Sequence, residues 1–126
     1  MPAGKVKHLF GSRCPSCDEK LKAGHPDIQK FFYDVKYVYP DIHTSCVFRN
    51  ERDQNEAFAS GASTKEWPNS KHNKMPARAI DLFQILGDAG VAVFNTITMA
   101  QIHSLFPQLR WGGKFKFKDS VHFELQ

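Results

Sequence analysis

Apolar residues at Ile28, Phe31, Phe32, Val35 and Val38 recur at the three- and four-residue spacing that lines one face of a helix. Pro26 suits the first turn of that helix and Pro40 stops it, so Pro26 to Tyr39 is expected to be helical, with a shorter helix before it from Asp18 to Ala23. His43 to Phe48 is short, partly β-branched and bounded by turn residues, which predicts a strand. A helix follows it: Asn50 can cap the N-terminus, Glu51 and Asp53 place negative charge in the first turn, and Gly61 stands where a C-terminal glycine belongs. Residues 61 to 78 carry Gly, Ser, Asn and two prolines and read as a long surface loop. Ala79 to Ile85 is an apolar run broken by one acid, Asp81, as in a central strand, and Val91 to Phe94 suggests another. Asn95 caps a helix to about Phe106, and Arg110 to Lys118 with Val121 to Leu125 predicts a terminal hairpin turning at Lys118-Asp119-Ser120. Strands and helices mixed without βαβ regularity predict an α+β fold with a small, mainly antiparallel sheet and flanking helices.

The length of 126 residues suits one domain, in which folding hides roughly two thirds of the unfolded chain's surface. We expect that domain to span residues 18 to 126, after a basic N-terminal segment of residues 1 to 17. A hydrophobic fraction of 41% with 11 Phe can fill a core, and a mean hydropathy of −0.45 excludes neither solubility nor order. No stretch approaches the roughly 20 apolar residues of a membrane span, and the first residues lack the apolar centre of a signal peptide, so synthesis in the cytoplasm is expected. Three cysteines cannot all pair within one chain, which fits a reducing compartment. The formal charge of +4 favours an anionic partner, whether nucleic acid, membrane surface or bacterial envelope. Nucleic acid has only that charge in its favour, because no recognised module or dense arginine stripe is present.

Two segments concentrate chemistry: Ser70-Lys71-His72-Asn73 through Ala79-Ile80-Asp81-Leu82, and Asp119-Ser120-Val121-His122-Phe123-Glu124-Leu125. A catalytic zinc takes three protein ligands and keeps a fourth position open for water, and His72, Asp81 and His122 supply such a set. Hydrolysis also needs a base to take the proton of the attacking water, and Asp119, three residues before His122, can reach the same small volume. Asp81 lies between Ile80 and Leu82, so a buried carboxylate there needs a partner: a metal, or otherwise an arginine or a strand end open to solvent.

These residues resemble the signature of the zinc peptidase superfamily that contains the D-alanyl-D-alanine carboxypeptidases and dipeptidases and the phage L-alanyl-D-glutamate endopeptidases. The pattern stands here as Ser70-Lys71-His72, Ala79-Ile80-Asp81, Trp111-Gly112-Gly113 and Asp119-Ser120-Val121-His122-Phe123-Glu124-Leu125, and Phe48-Arg49 with Gln54 and Gly61 is similar to an upstream segment of the family. The resemblance covers about residues 18 to 126. It implies a D-Ala-D-Ala peptidase-like fold, shared with hedgehog domains, and a zinc site on the sheet held by His72, Asp81 and His122. It also implies Asp119 as base, and Arg49, or less directly Arg52, as the cation that holds the substrate's oxygen. His72 and Asp81 are nine residues apart, a longer gap than in many members, which reads as a looped insertion. An aspartate at the base position is the endopeptidase form. The implied function is hydrolysis of the L-alanyl-D-glutamate bond of peptidoglycan stem peptides by a monomeric phage or prophage endolysin. Such an enzyme waits in the host cytoplasm until a holin releases it to the wall. A D-alanyl-D-alanine carboxypeptidase, using Arg49 or Arg78 for the terminal carboxylate, and an inactive wall-binding module are the alternatives.

Other features have plainer readings. Cys14-Pro15-Ser16-Cys17 looks like half of a structural zinc site, with only Cys46, His8 and His25 as further donors, and is otherwise expected to be a pair of reduced thiols on an exposed segment. His8, His25, His43 and His103 have no motif around them and are not expected to be ligands. Glu124 either orients His122 or is structural. Trp111-Gly112-Gly113 lines a groove or forms core and a bulge, Ser70 bonds near the metal or serves its loop, and Lys114, Lys116 and Lys118 are expected on the solvated face of an edge strand.

Overall fold

The computed structural model describes residues 14–126. His8 and most of the expected basic segment lie outside the described residues. Helix α1 (Pro15–Leu21) begins three residues before the expected Asp18 and buries Cys17 and Leu21. Helix α2 (Pro26–Val38) starts on a cap in which His25 Nδ1 accepts from the Asp27 amide at 3.0 Å, and it buries Ile28, Phe31, Phe32 and Val35. At its last turn the Lys36 ammonium is also buried, donating to the Pro40 and Ile42 carbonyls at 2.9 and 2.8 Å. The Lys36 side chain thus ties the end of the helix to the turn and the strand that follow.

That strand, β1 (Ile42–Cys46), is antiparallel to β2 (Ala79–Leu86), with a register irregularity between Thr44 and Cys46 that sets Cys46 opposite Asp81. Between them α3 (Glu51–Ala59) is capped by Asn50, whose side chain accepts from the Asp53 amide at 2.9 Å. β3 (Val91–Val93) pairs with the far end of β2, and α4 (Thr96–Leu105) opens on Asn95, which accepts from two amides. β4 (Arg110–Trp111) and β5 (His122–Glu124) close the sheet. The order is β1-β2-β5-β4 with β3 also on β2, and every pairing is antiparallel. The α+β expectation holds, with four helices among the described residues.

Two local expectations fail. The terminal hairpin pairs only Arg110 with Glu124 and Trp111 with Phe123, and then a single 3-10 turn (Gly112–Lys114) lifts the chain off the sheet. Lys114, Lys116 and Lys118 are therefore exposed on a loop and not on an edge strand. The segment from 61 to 78 is not all surface, since Ser70, His72, Asn73 and Ala77 are buried. A 3-10 turn at Lys71–Asn73 folds those residues against the sheet.

The core packs α2 on one side of the sheet. Ile80 and Leu82 of β2 and Phe123 of β5 are fully buried, and Phe31 meets Phe123 and Phe106 with ring centres 5.2 and 6.1 Å apart. Each such side chain contributes roughly 1.5–3 kcal/mol by leaving water. Because side chains alternate along a strand, anchoring Ile80, Leu82 and Phe123 inward turns Asp81, His122 and Glu124 to the other face.

Candidate metal centre

The register of the central pair brings the chemistry together, because Asp81 on β2 stands directly opposite His122 on β5. His122 Nδ1 lies 3.1 Å from Asp81 Oδ1, and His72 Nε2 lies 3.2 Å from the same oxygen. His72 arrives on the 3-10 turn, whose cap Ser70 accepts from the His72 amide at 3.2 Å while the Ser70 amide donates to Asn73 Oδ1 at 3.1 Å. Ser70 thus shapes the turn that carries the ligand. The ring is aimed by its other nitrogen, since His72 Nδ1 donates to the Val47 carbonyl at 2.7 Å and leaves Nε2 facing Asp81. His122 is held in the same way by Glu124 Oε1, 2.8 Å from Nε2. Glu124 is itself fixed by Lys71 at 3.1 Å and Arg110 at 3.3 Å. Of the two readings open for Glu124, the structure supports the orienting one.

Each imidazole nitrogen stands from Asp81 Oδ1 at nearly the spacing a tetrahedral ion sets between two donors, while the two histidines share no single group of donors. Bonds of about 2.0–2.2 Å place neighbouring donor atoms about 3.3–3.6 Å apart, and the two nitrogens stand within a few tenths of an ångström of that spacing from Asp81 Oδ1. Cys46, His72 and Asp81 form one group of possible ligands with donor atoms within 4.8 Å of one another, and Asp81, Asp119 and His122 form a second. Asp81 belongs to both, so it links the three expected ligands and the expected base. Cys46 was not expected here. Its sulfur lies 3.6 Å from His72 Nδ1, the nitrogen turned away from Asp81, and only the sheet register reveals that proximity.

Electrostatics point the same way. Burial opposes a charge on His72, yet its hydrogen bonds to Asp81 and Cys46 prevail and raise it from 6.5 to about 10. His122 is raised too, burial being outweighed by Asp81 and Glu124. Burial would raise Asp81, but His122 and His72 hold it far below the usual carboxylate range. The site thus pulls protons onto both imidazoles, and a divalent cation satisfies the same negative field by displacing them. Asp119, on the rim, is shifted the other way: desolvation first, then the Asp81 charge, raises it and makes it a better proton acceptor.

The cleft around these groups encloses 460 Å³ and is lined by Arg49, Ser63, Lys65, Lys71, Phe115, Lys118 and Asp119 besides the ligand candidates. Arg49 reaches Asp81 Oδ2 at 3.7 Å, so the arginine partner weighed for Asp81 is present together with the histidines. Gln54 positions it: fully buried, it accepts from Arg49 at 3.0 Å and from Asn73 at 3.0 Å. Arg52 instead pairs with Asp53 in solvent, and Arg78 turns to the Gln126 carbonyl at 3.0 Å; neither lines the cleft. Trp111 does not line it either. Its indole donates to the Ser120 carbonyl at 2.8 Å and packs against the core. Gly112 is needed for another reason: a Cβ there would come within 2.2 Å of the Asp119 carbonyl oxygen, so only glycine lets the loop bearing Asp119 fold down. Among the remaining histidines, His25 caps α2 and His103 stacks on Trp111 at 5.7 Å.

No family model matches the chain, and no curated protein matches it by sequence. Among solved structures, it is similar to the L-Ala D-Glu endopeptidase ChiX of Serratia marcescens, with a TM-score of 0.72, 24% identity, and coverage of 89% of this chain and 87% of that one. The two chains share a fold.

Proposed function

We propose that this chain is a zinc peptidase that hydrolyses the L-alanyl-D-glutamate bond of peptidoglycan stem peptides, acting as a monomeric phage or prophage endolysin. The observation that carries it is the meeting of His72 Nε2 and His122 Nδ1 on Asp81 Oδ1 in an open cleft that also holds Asp119 and Arg49. The shared fold with an L-Ala D-Glu endopeptidase supports the choice of bond. When bound to His72, Asp81 and His122, zinc supplies Lewis acidity, polarising the scissile carbonyl and acidifying a water. Asp119 accepts the proton of the attacking water and returns it to the leaving amine, a role its raised pKa suits. Arg49, held by Gln54, donates to the oxygen on which negative charge develops. Lys65, Lys71 and Lys118 on the cleft wall favour an anionic peptide. Among the described residues no helix is long and apolar enough to cross a membrane, which is compatible with an enzyme that a holin releases to the wall.

The test is mass spectrometry of muropeptides after digestion. New N-terminal D-glutamate is the expected product. Loss of a single D-alanine would replace this reading with a D-alanyl-D-alanine carboxypeptidase, and unchanged muropeptides that nonetheless retain the protein would leave a wall-binding module. The turning of Arg78 away from the cleft counts against the carboxypeptidase, since it removes one of the two cations considered for a terminal carboxylate.

A further inference from the structure

A second set of donors lies apart from the cleft, where α1 meets β1. Cys14, Cys17 and His43 place their donor atoms within 4.8 Å of one another. The exposed reduced thiols expected of this segment are not found: Cys17 is 0% and Cys14 8% exposed, and the two are joined by a disulfide. The expected partners His25 and Cys46 are engaged elsewhere, and the third donor is His43, which has no motif around it.

Three observations give this corner the character of a metal site. Cys17 Sγ lies 3.7 Å from His43 Nδ1, and a tetrahedral ion with sulfur at about 2.3 Å and nitrogen at about 2.0 Å sets those atoms roughly 3.5 Å apart. Two backbone amides already point at the sulfurs, Cys17 N–H donating to Cys14 Sγ at 3.1 Å and Thr44 N–H to Cys17 Sγ at 3.4 Å. Such donors stabilise negative charge on sulfur, as thiolate ligands require. Thirdly, the disulfide joins two residues at the start of one seven-residue helix, so it cannot fasten that helix to the sheet. A helix this short is not stable by itself. An ion shared by Cys14, Cys17 and His43 would fasten it, because His43 belongs to β1.

We propose that Cys14, Cys17 and His43 form a second, structural metal site, filled by a thiolate-preferring divalent cation such as Zn²⁺ when the cysteine pair is in its dithiol form. Filling requires a thiol reductant. Two reductant thiols give two electrons and two protons and become a disulfide, the Cys14–Cys17 bond breaks, and each sulfur takes one proton. Metal binding then releases both protons to solvent. Thiolate and imidazole together select zinc over magnesium or calcium.

The experiment uses the full chain with Cys46→Ser, so that no sulfur near the cleft contributes, reduced with a thiol, desalted without oxygen and titrated with Co²⁺. The expected result is a sulfur-to-cobalt charge-transfer band and one more equivalent of bound metal than in the same chain carrying Cys14→Ser and Cys17→Ser, which shows no band. His43→Ala is expected to keep the band but shift it and weaken the affinity. The disulfide form of the Cys46→Ser chain gives the same comparison without further substitution, should the serine variants fail to fold: it is expected to bind one equivalent fewer. Equal stoichiometry in the reduced and oxidised chains with no charge-transfer band would overturn the proposal. The difference of one equivalent is read independently of whether the cleft holds a metal or cleaves peptide.

Discussion

Two clusters of side chains able to hold a metal sit on this small sheet, and they differ in what surrounds them. His72, Asp81 and His122 open onto a 460 Å³ cleft with an exposed carboxylate at the rim, whereas Cys14, Cys17 and His43 are closed between a helix and a strand. The first holds oxygen and nitrogen donors with second partners that aim each ring; the second holds sulfur and nitrogen donors with amides on the sulfurs. A cluster that opens onto a cleft can act on a substrate, whereas one buried between a helix and a strand is placed for cohesion. The contrast teaches that donor type alone does not distinguish the two roles, while access to solvent does.

The largest expected effect is at the cleft. His122→Ala should abolish wall lysis in a turbidity assay and remove one bound metal while leaving the far-ultraviolet circular dichroism intact; a variant that still lyses walls at the native rate would end the claim that this cluster is the reactive one. Asp119→Ala should retain its metal and lower kcat by about 10²–10⁴. Gly112→Ala tests the same group from behind, since its methyl displaces the Asp119 carbonyl, and a kcat loss with unchanged metal content is expected. Arg49→Ala should cost about 10²–10³ in kcat, and Gln54→Ala a smaller part of it by freeing the guanidinium, both followed by muropeptide release.

At the closed corner the expected sign is the reverse. Zinc added to the reduced chain should raise the urea midpoint further than zinc added to the disulfide form, with kcat per active chain unchanged, because a ligand that binds only the folded state stabilises it by mass action. Equal zinc-induced shifts in the two forms would leave the corner without a cohesive role.

The smallest effect is electrostatic. His122 and Lys71 hold Glu124, against the effect of its burial, at about 2 instead of 4.5 in the folded chain. A carboxylate depressed on folding contributes stability above its unfolded value and loses it as the pH falls toward the folded one. In the metal-free chain that contribution should be full above pH 4.5 and gone near pH 2, and Glu124→Gln should flatten this part of the stability curve. An unchanged curve would mean that Glu124 orients His122 without stabilising the fold.

The sequence pointed to several of the residues that the fold brings to the cleft. Asp81 in an apolar run, the histidines beside acids and the order of the motifs named the three expected ligands and Asp119, and cap residues such as Asn50 and Asn95 marked helix starts where they stand. Arg49 was expected only through the resemblance to the family's upstream segment, and Gln54 was seen as part of that segment without its task of holding the arginine. The terminal strand was overread at Arg110 to Lys118, because alternating lysines imitate a solvated strand whether or not a partner strand is present.

Periodicity and residue chemistry determined that this chain has a small mixed α+β core and which side chains could serve a metal, since both follow from local spacing and intrinsic donor type. Only the tertiary structure decided which donors meet: Asp81 faces His122 through strand register, and Cys46 reaches His72 and Cys17 reaches His43 across 26 residues of chain. Register and packing are set by burial of Ile80, Leu82, Phe123 and their neighbours summed over the entire core, and no short stretch of sequence contains that sum.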